Sequence, residues 1–439
     1  MNSRALLTAL CSVLVTMVGC SSLYRHSVET DAFSLYGDND PERLERLASV
    51  VETTMDDFDV LFELGEARIP PPRVIYEEDD LSRARIYTSE MRQEGFYLPL
   101  LRLVHLSPRH YSNLDNDLHD AERVVRHELA HHFLIQRHPA SGSRYWLNEG
   151  VACALEAPFV TDEDGQSLAP LYHQWLHEQA HLALQRLGTE KFTAALQELL
   201  ASGWFGFHQS GSKVRNYALS WAFTYYQLQQ IPGTFARRVE VLVARKSQEL
   251  QFLIPGFLKW LSEDPNRELD ALAGQPALRL WTLRTWLNLT QIDGALLLRH
   301  LLPLLTDAGT AKDSDGVVAL SLLTRLLNRP AIGSLSREQL HDLRSTLAAR
   351  LTHGTDPEKQ EIASTLRRSG YSAGYLRPLV TMLSSQTPDV RVAAARALAR
   401  LSAKPTITRP SFWTDASPVE RAAEVSEWEQ WLGRRSSRR

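Results

Sequence analysis

One segment in the first third of the chain carries two histidines at a spacing that strongly restricts its structure. In VVRHELAHHF, His127 and His131 are four residues apart, so a helix presents both imidazoles on one face. Apolar neighbours predict that this helix is buried. They are Val124, Val125, Leu129, Ala130, Phe133 and Leu134. The pentapeptide HELAH fits H-E-x-x-H, the pattern of two metal-binding histidines with a glutamate base.

A catalytic zinc site needs three protein ligands and one open position. Glu149 lies eighteen positions after His131, in WLNEG, with a loop between the two segments. We therefore predict a single zinc ion bound by His127, His131 and Glu149. Glu128 lies about 100° round the helix from His127, next to the metal without ligating it. This is the position of a general base.

A second H-E-x-x-H occurs fifty residues further on, in HEQAH. His177 and His181 form its pair, and His173 extends the same stripe by one turn. No W-x-x-E-G string follows it, and Glu198, seventeen positions past His181, lies within a continuous amphipathic pattern. We interpret this stripe as a histidine-rich helix face, not as a second metal site.

The strings HELAH and WLNEG together resemble the gluzincin metallopeptidases, and WLNEG is similar to the corresponding string of the aminopeptidase N family. The resemblance covers about residues 70–235. It implies that Glu149 is the third zinc ligand and that Glu156 supports a ligand histidine. In NYALSWAFTYY, it implies that Tyr217 donates a hydrogen bond to the oxyanion of the tetrahedral intermediate.

The chain departs from true aminopeptidases at its substrate side. It has no G-A-M-E-N motif, whose glutamate holds the free amine of the substrate, and it carries EGFYLPLLRLVHLS at that place. We therefore do not expect aminopeptidase specificity. We read this segment as one β-strand that can pair with an extended peptide, as an edge strand does.

Four further residues near the motifs carry their own expectations. His132 is expected to be partly exposed, and Asn148 to cap a helix. Gly150 is expected to let its helix approach the HELAH helix closely. Cys153 is expected to be a buried structural thiol.

The N-terminus has the features of an export signal. Arg4 precedes about fifteen mostly apolar residues, whereas a membrane-spanning helix needs ~20, so the stretch reads as the h-region of a signal peptide. MVGCSS resembles a bacterial lipobox, which implies lipidation at Cys20, and Ser21 implies sorting to the outer membrane. The alternative is an ordinary signal peptide with a chance cysteine. With Cys11 in the signal and Cys20 lipidated, only Cys153 of the three cysteines remains, so an internal disulfide is excluded.

A few strands followed by many helices predict an α+β fold, with a gluzincin-like catalytic domain and a helical C-terminal part. In that part, DPEKQEIASTLRRSG aligns with TPDVRVAAARALARL at an offset of 32, which indicates HEAT-like repeats stacked as a solenoid. A plain helical bundle is the alternative. Ser417, Pro418 and Glu420 form a capping-box pattern at the last helix. The predicted segments are a signal peptide (1–19), a tether with an N-terminal helix (20–69), the zinc peptidase domain (70–262), the HEAT-like repeats (263–405) and a capping helix with a basic tail (406–439).

The function expected from these features is zinc-dependent hydrolysis of peptide bonds by a lipid-anchored protein of the bacterial cell envelope. The expected partners are a peptide or protein substrate, the membrane through Cys20, and a protein bound by the repeats. A formal net charge of −4 gives no indication of nucleic-acid binding. The alternative is a non-catalytic envelope scaffold that acts through its helical repeats.

Overall fold

The computed structural model divides the chain into two compact units, Met1–Glu263 and Asp264–Arg439. It describes residues 24–37, 41–65, 69–76, 95–106, 114–156, 160–161, 167–168, 172–209, 213–287, 292–306, 313–327, 335–366, 373–402, 404 and 407–436. The predicted signal peptide and lipid site at Cys20 lie outside these residues. Among the described helices, none has the length and apolar character required to cross a membrane. The described chain is mostly helical with one small mixed sheet, in agreement with the α+β expectation at that level.

A five-stranded sheet in the order β1-β2-β3-β5-β4 organises the first unit. Its strands are β1 (His26–Glu29), β2 (Ser34–Gly37), β3 (Arg73–Tyr76), β4 (Gly95–Leu98) and β5 (Leu103–Leu106). The three central strands β2, β3 and β5 run parallel, with Val74 opposite Val104, and the outer strands β1 and β4 are antiparallel to their neighbours. The central strands are nearly continuously apolar because both of their faces are covered. A separate pair joins β6 (Val160–Thr161) to β7 (Ser167–Leu168).

Two details of this sheet correct the sequence expectations. The predicted tether contains β1 and β2, and Phe33 and Leu35 are buried in the core. Short strands of four residues carry too little periodicity to be recognised from sequence alone. EGFYLPLLRLVHLS forms two antiparallel strands and not one, because a 3₁₀ turn at Pro99–Leu101 and a left-handed Arg102 reverse the chain.

Eight α-helices are present in the described residues of the first unit. They are α1 (Pro41–Leu61), α2 (Leu114–Arg137), α3 (Tyr145–Ala154), α4 (Gln174–Ala201), α5 (Trp204–Gln209), α6 (Lys213–Gln230), α7 (Phe235–Ala244) and α8 (Ser247–Ser262). Helix α1 packs on β1 and β2, α2 packs on β4 and β5, and the two helices contact each other. Helix α4 is interrupted at Gly188, where φ is 72°.

Helix α6 contacts both α3 and α4, which brings it to the centre of the helical part. Gly150 allows α3 and α6 to pack closely. A Cβ at this position would lie 2.2 Å from Oγ1 of Thr224 and 2.5 Å from the backbone oxygen of Ser220. The expectation that Gly150 faces the HELAH helix is therefore wrong. The glycine lies against α6, the helix that carries Tyr217, and any larger residue would push the two helices apart.

The second unit consists of helices in the described residues. They are α9 (Pro265–Ala273), α10 (Arg279–Trp286), α11 (Gly294–Leu301), α12 (Pro303–Thr306), α13 (Asp313–Leu327), α14 (Arg337–His353), α15 (Asp356–Thr365), α16 (Ala373–Met382), α17 (Pro388–Leu401), α18 (Pro410–Asp415) and α19 (Pro418–Ser436). Helix α15 packs on α13 and α17, while α14 packs on α16. The aligned alanines Ala363 and Ala395 are both buried.

The last helix begins as its sequence pattern predicted. Ser417 and Glu420 form the reciprocal bonds of a capping box, from the Ser417 backbone N–H to the Glu420 carboxylate (2.8 Å) and from the Glu420 backbone N–H to Oγ of Ser417 (3.3 Å). Trp428 is buried, and α19 contacts α16. The helix continues to Ser436 and so includes part of the predicted basic tail.

Candidate metal centre

Helices α2 and α3 bring the three predicted ligands together. A 3₁₀ turn at Pro139–Ser143 reverses the chain between them, so the two helices pack side by side. Nε2 of His127 lies 3.2 Å from Nε2 of His131. Oε2 of Glu149 lies 3.4 Å from the former and 3.6 Å from the latter. One metal ion can therefore contact all three atoms.

The opposite edge of each imidazole is held by an oxygen acceptor. Nδ1 of His127 is 2.8 Å from Oε1 of Glu156, and Nδ1 of His131 is 3.0 Å from Oδ1 of Asn148. An oxygen acceptor requires that the facing ring nitrogen carry the proton. In the neutral rings, both Nε2 atoms therefore present lone pairs to each other and to Glu149.

This arrangement needs a positive charge, which a proton or a metal ion can supply. Burial would lower the pKa of His127, but its hydrogen bonds with Cys153, Glu149 and Glu156 raise this pKa well above its usual value. Glu149 is 2% exposed, and its Oε2 has no hydrogen-bond partner, although an orphaned buried carboxylate oxygen is costly. Burial alone would raise the pKa of Glu149, but the charges of His131 and His127 outweigh it and lower the pKa to about 2. Two imidazoles and a carboxylate are a normal zinc ligand set, so the residues fit this metal.

Glu128 lies beside the three ligands without joining them. It is 5% exposed, and one of its oxygens, Oε2, has no hydrogen-bond partner. Burial raises the pKa of this carboxyl to about 8, His127 lowers it, and Glu149 and Glu156 raise it further. A bound cation would oppose this rise. The side chain is therefore buried, ionisable and adjacent to the metal position, as a general base must be.

Strand β4 begins directly against Glu128. A Cβ on Gly95 would lie 2.9 Å from Cγ of Glu128 and 3.0 Å from Cγ1 of Val124. Glycine is therefore required for the strand to reach this position. Since β4 is an outer strand of the five-stranded sheet, an edge of the sheet lies beside the candidate base.

Tyr217 on α6 also lies at the site. Its ring centroid is 6.5 Å from that of His127, and its edge packs against Phe207 at 5.2 Å. The ammonium of Lys213 lies 5.9 Å from the Tyr217 ring. The structure therefore brings together all the residues that the sequence predicted for the site.

Glu156 is a buried carboxylate, 8% exposed. Its Oε1 accepts from His127, and its Oε2 accepts from Arg123 at 2.9 Å and His173 at 3.1 Å. Burial would raise its pKa, but the hydrogen bonds from His127 and His173 hold it well below the usual range. Glu156 thus has the geometry of a group that orients a ligand histidine.

The second H-E-x-x-H pair is directed elsewhere. Nδ1 of His177 is 2.5 Å from the Tyr172 hydroxyl, and its ring stacks on Trp260 with centroids 4.8 Å apart. Nδ1 of His181 donates a hydrogen bond to the backbone carbonyl of Leu261, at 2.8 Å. Within the described residues, both groups able to hold a metal include His127, and neither includes His177 or His181.

Two expectations for neighbouring residues are wrong. His132 is fully buried, because both of its ring nitrogens are hydrogen-bonded. Nδ1 lies 2.9 Å from the Tyr97 hydroxyl and Nε2 lies 3.0 Å from the Pro70 carbonyl oxygen. Burial lowers its pKa to about 4. Asn148 lies inside α3, which begins at Tyr145, and it holds His131 instead of capping the helix. Cys153 is buried, as expected, and burial raises the pKa of its thiol to about 12.

Sequence reasoning missed Tyr145 and the link from His173 to Glu156. The Tyr145 hydroxyl is 2.8 Å from Nε2 of His208. Burial and the negative charge of Glu149 raise the pKa of this phenol, so it stays protonated as a donor beside the third ligand. Tyr145 precedes Glu149 by four residues, which places both on one face of a helix. This spacing could have indicated from sequence that Tyr145 lies near the site.

Comparison with known proteins gives no family for this chain. No protein-family model matches the sequence, and no curated protein is similar enough to count as a relative.

Proposed function

We propose that this protein is a zinc-dependent peptidase, with zinc bound by His127, His131 and Glu149. One observation carries the proposal: two imidazole lone pairs and an orphaned carboxylate oxygen converge with 3.2–3.6 Å between them. The ring protons lie on the other side, at Glu156 and Asn148. A divalent cation is the partner that stabilises such a cluster.

Zinc in such a site acts as a Lewis acid and lowers the pKa of a bound water. Glu128 accepts the proton of the attacking water and returns a proton to the leaving amine. Tyr217 donates a hydrogen bond from its phenolic O–H to the oxyanion that develops on the carbonyl oxygen when the water attacks the carbonyl carbon. Burial of Glu128 favours its protonated form after the first transfer, which keeps the proton available for the second.

An extended peptide is the substrate class that the neighbouring backbone favours. Strand β4 pairs with β5 along one side. Among the described residues, no strand pairs with its other side, so this side can pair with a substrate strand by main-chain hydrogen bonds. Because Gly95 touches Glu128, a peptide paired with β4 would pass the candidate base.

The finer parts of the architecture belong to the same proposal. A gluzincin-like arrangement is supported by the ligand helices α2 and α3 with the tyrosine helix α6. HEAT-like repeats are supported by the alternating contacts of α13 to α17, and such a stack would offer a surface to a protein partner. The lipid anchor on Cys20, with location in the bacterial outer membrane, rests on the sequence motif.

Zinc removal and restoration test the proposed activity. We expect purified protein to contain about one zinc ion per chain, to cleave members of a broad peptide library, to lose cleavage with a strong chelator and to regain it with zinc. The measurements are elemental analysis and mass spectrometry of the cleaved peptides. Stoichiometric zinc without any cleavage would contradict the peptidase and support the scaffold alternative.

A further inference from the structure

His173 belongs to the histidine stripe of the second motif, but its side chain points towards the candidate metal centre. It is the N-cap residue of α4. Its Nε2 lies 3.1 Å from Oε2 of Glu156, whose other oxygen holds the ligand His127. Of the three stripe histidines, only this one contacts a residue of the site, because His177 and His181 bond to Tyr172 and Leu261.

The N-cap role of His173 fixes which of its nitrogens carries the proton. Nδ1 accepts from the backbone N–H of Leu176 at 3.4 Å, so in the neutral ring the proton is on Nε2. Nε2–H therefore donates to Glu156. Arg123 donates to the same oxygen and His127 to the other. The Glu156 carboxylate therefore accepts three hydrogen bonds.

We propose that His173 is a positioning residue for the metal centre. It holds the Glu156 carboxylate against Nδ1 of His127, which keeps the His127 proton on Nδ1 and its lone pair on Nε2, towards the metal. This inference rests on the proposed zinc site. It assigns roles to all three histidines of the stripe. His173 orients His127 through Glu156, and His177 and His181 stabilise the packing of the helix.

Arg123 cannot replace His173 in this role. Its side chain is 38% exposed, against 19% for His173, so water competes more strongly for the guanidinium than for the imidazole. The imidazole is anchored at both nitrogens, at Leu176 and Glu156. A bond from an anchored donor restricts carboxylate rotation more strongly than one from a long, half-exposed chain.

A second metal site near His127 is the alternative interpretation of this geometry. His127, Cys153 and Glu156 offer ligand atoms within 4.8 Å of one another. However, the 2.8 Å contact between His127 and Glu156 is that of a hydrogen bond, and the Arg123 cation on Glu156 opposes a second one. The hydrogen-bonded reading is therefore the one that we propose.

Two substitutions at His173 separate its contact with Glu156 from its capping role. Asparagine is a preferred N-cap residue, but it is too short to reach Glu156. Glutamine has an amide donor at about the reach of Nε2. We expect His173→Asn to weaken zinc binding about threefold to tenfold. This is less than the 10- to 100-fold typical of a direct partner of a ligand, because His173 contacts His127 only through Glu156. His173→Gln should bind within about twofold of wild type.

The experiment is chelator competition for zinc with the full chain, using His181→Asn as the control on the same stripe. Thermal unfolding of the zinc-free proteins checks that every variant is folded. Wild-type binding with weaker His173→Asn binding and rescue by His173→Gln supports the proposal. Equal affinities in all four proteins overturn it, as does an equal loss in both His173 variants. A wild type with two zinc ions, of which His173→Asn loses one, also overturns it. If wild type binds no zinc, the zinc site itself is wrong.

Discussion

Replacing Glu128 with glutamine is expected to lower the rate of peptide hydrolysis by about 10²- to 10⁴-fold, the usual contribution of a general base. Zinc should stay bound, because Glu128 is not among the three converging ligand atoms. The fold should also remain, since burial already disfavours the charged form of this carboxyl and glutamine has nearly the same shape. The variant therefore isolates proton transfer from metal binding.

The measurement compares cleavage of a peptide library by wild type and Glu128→Gln, and then the proteomes of cells that carry each form. Glu178→Gln is the matched control, because Glu178 occupies the same place in HEQAH and is also buried. It should leave hydrolysis unchanged. Full activity in Glu128→Gln, or loss of activity only in a folded Glu178→Gln, would contradict the assignment of the base.

Glu149→Gln is expected to weaken zinc binding by about 10²- to 10³-fold, if a binding free energy of roughly 10–16 kcal/mol is shared among the ligands of the ion. A neutral amide is a poor ligand for zinc. The change also removes the negative charge that pairs with His131 and His127 in the zinc-free protein, so we expect some loss of stability. Thermal unfolding of the zinc-free variant is therefore measured beside the affinity, and a loss of affinity in a folded variant reports on the ligand.

Chelator competition measures this effect, with Glu198→Gln as its control. Glu198 lies seventeen positions past His181 and would be the third ligand if HEQAH were the metal site, but it is exposed on α4. Zinc affinity should not change in this variant. An unchanged affinity in Glu149→Gln, with a loss in Glu198→Gln, would exchange the roles of the two motifs.

The convergence of the three proposed ligands could be predicted from sequence because it depends on local geometry. His127 and His131 are on one face of any helix that contains them, whatever packs around it. Glu149 needs only a reversal of the chain within the intervening residues, and the turn at Pro139–Ser143 supplies it. Glu128 follows from the same helical repeat.

Contacts between distant segments were not predictable from these patterns. Periodicity indicates which face of a helix is buried, but it does not identify the neighbour, as Gly150 shows: its contacts are Ser220 and Thr224 on α6. The bond from His173 to Glu156 likewise depends on how α4 begins relative to the end of α3. Both arise from tertiary packing, which a linear pattern does not encode.

Polar residues inside apolar segments were the other source of error. His132 was expected to be partly exposed because a histidine interrupts an apolar run. It is buried because Tyr97 on β4 and the Pro70 carbonyl satisfy both nitrogens. A buried polar group needs such partners, and here they come from segments 35 and 62 residues away.

Zinc content in two paired variants tests the central claim most directly. In one, His127 and His131 are both changed to glutamine, and in the other His177 and His181 are. Elemental analysis of folded, purified protein should find no zinc in the first and about one ion per chain in the second, because His127, His131 and Glu149 all remain there. Zinc retained by the first variant and lost from the second would contradict the account.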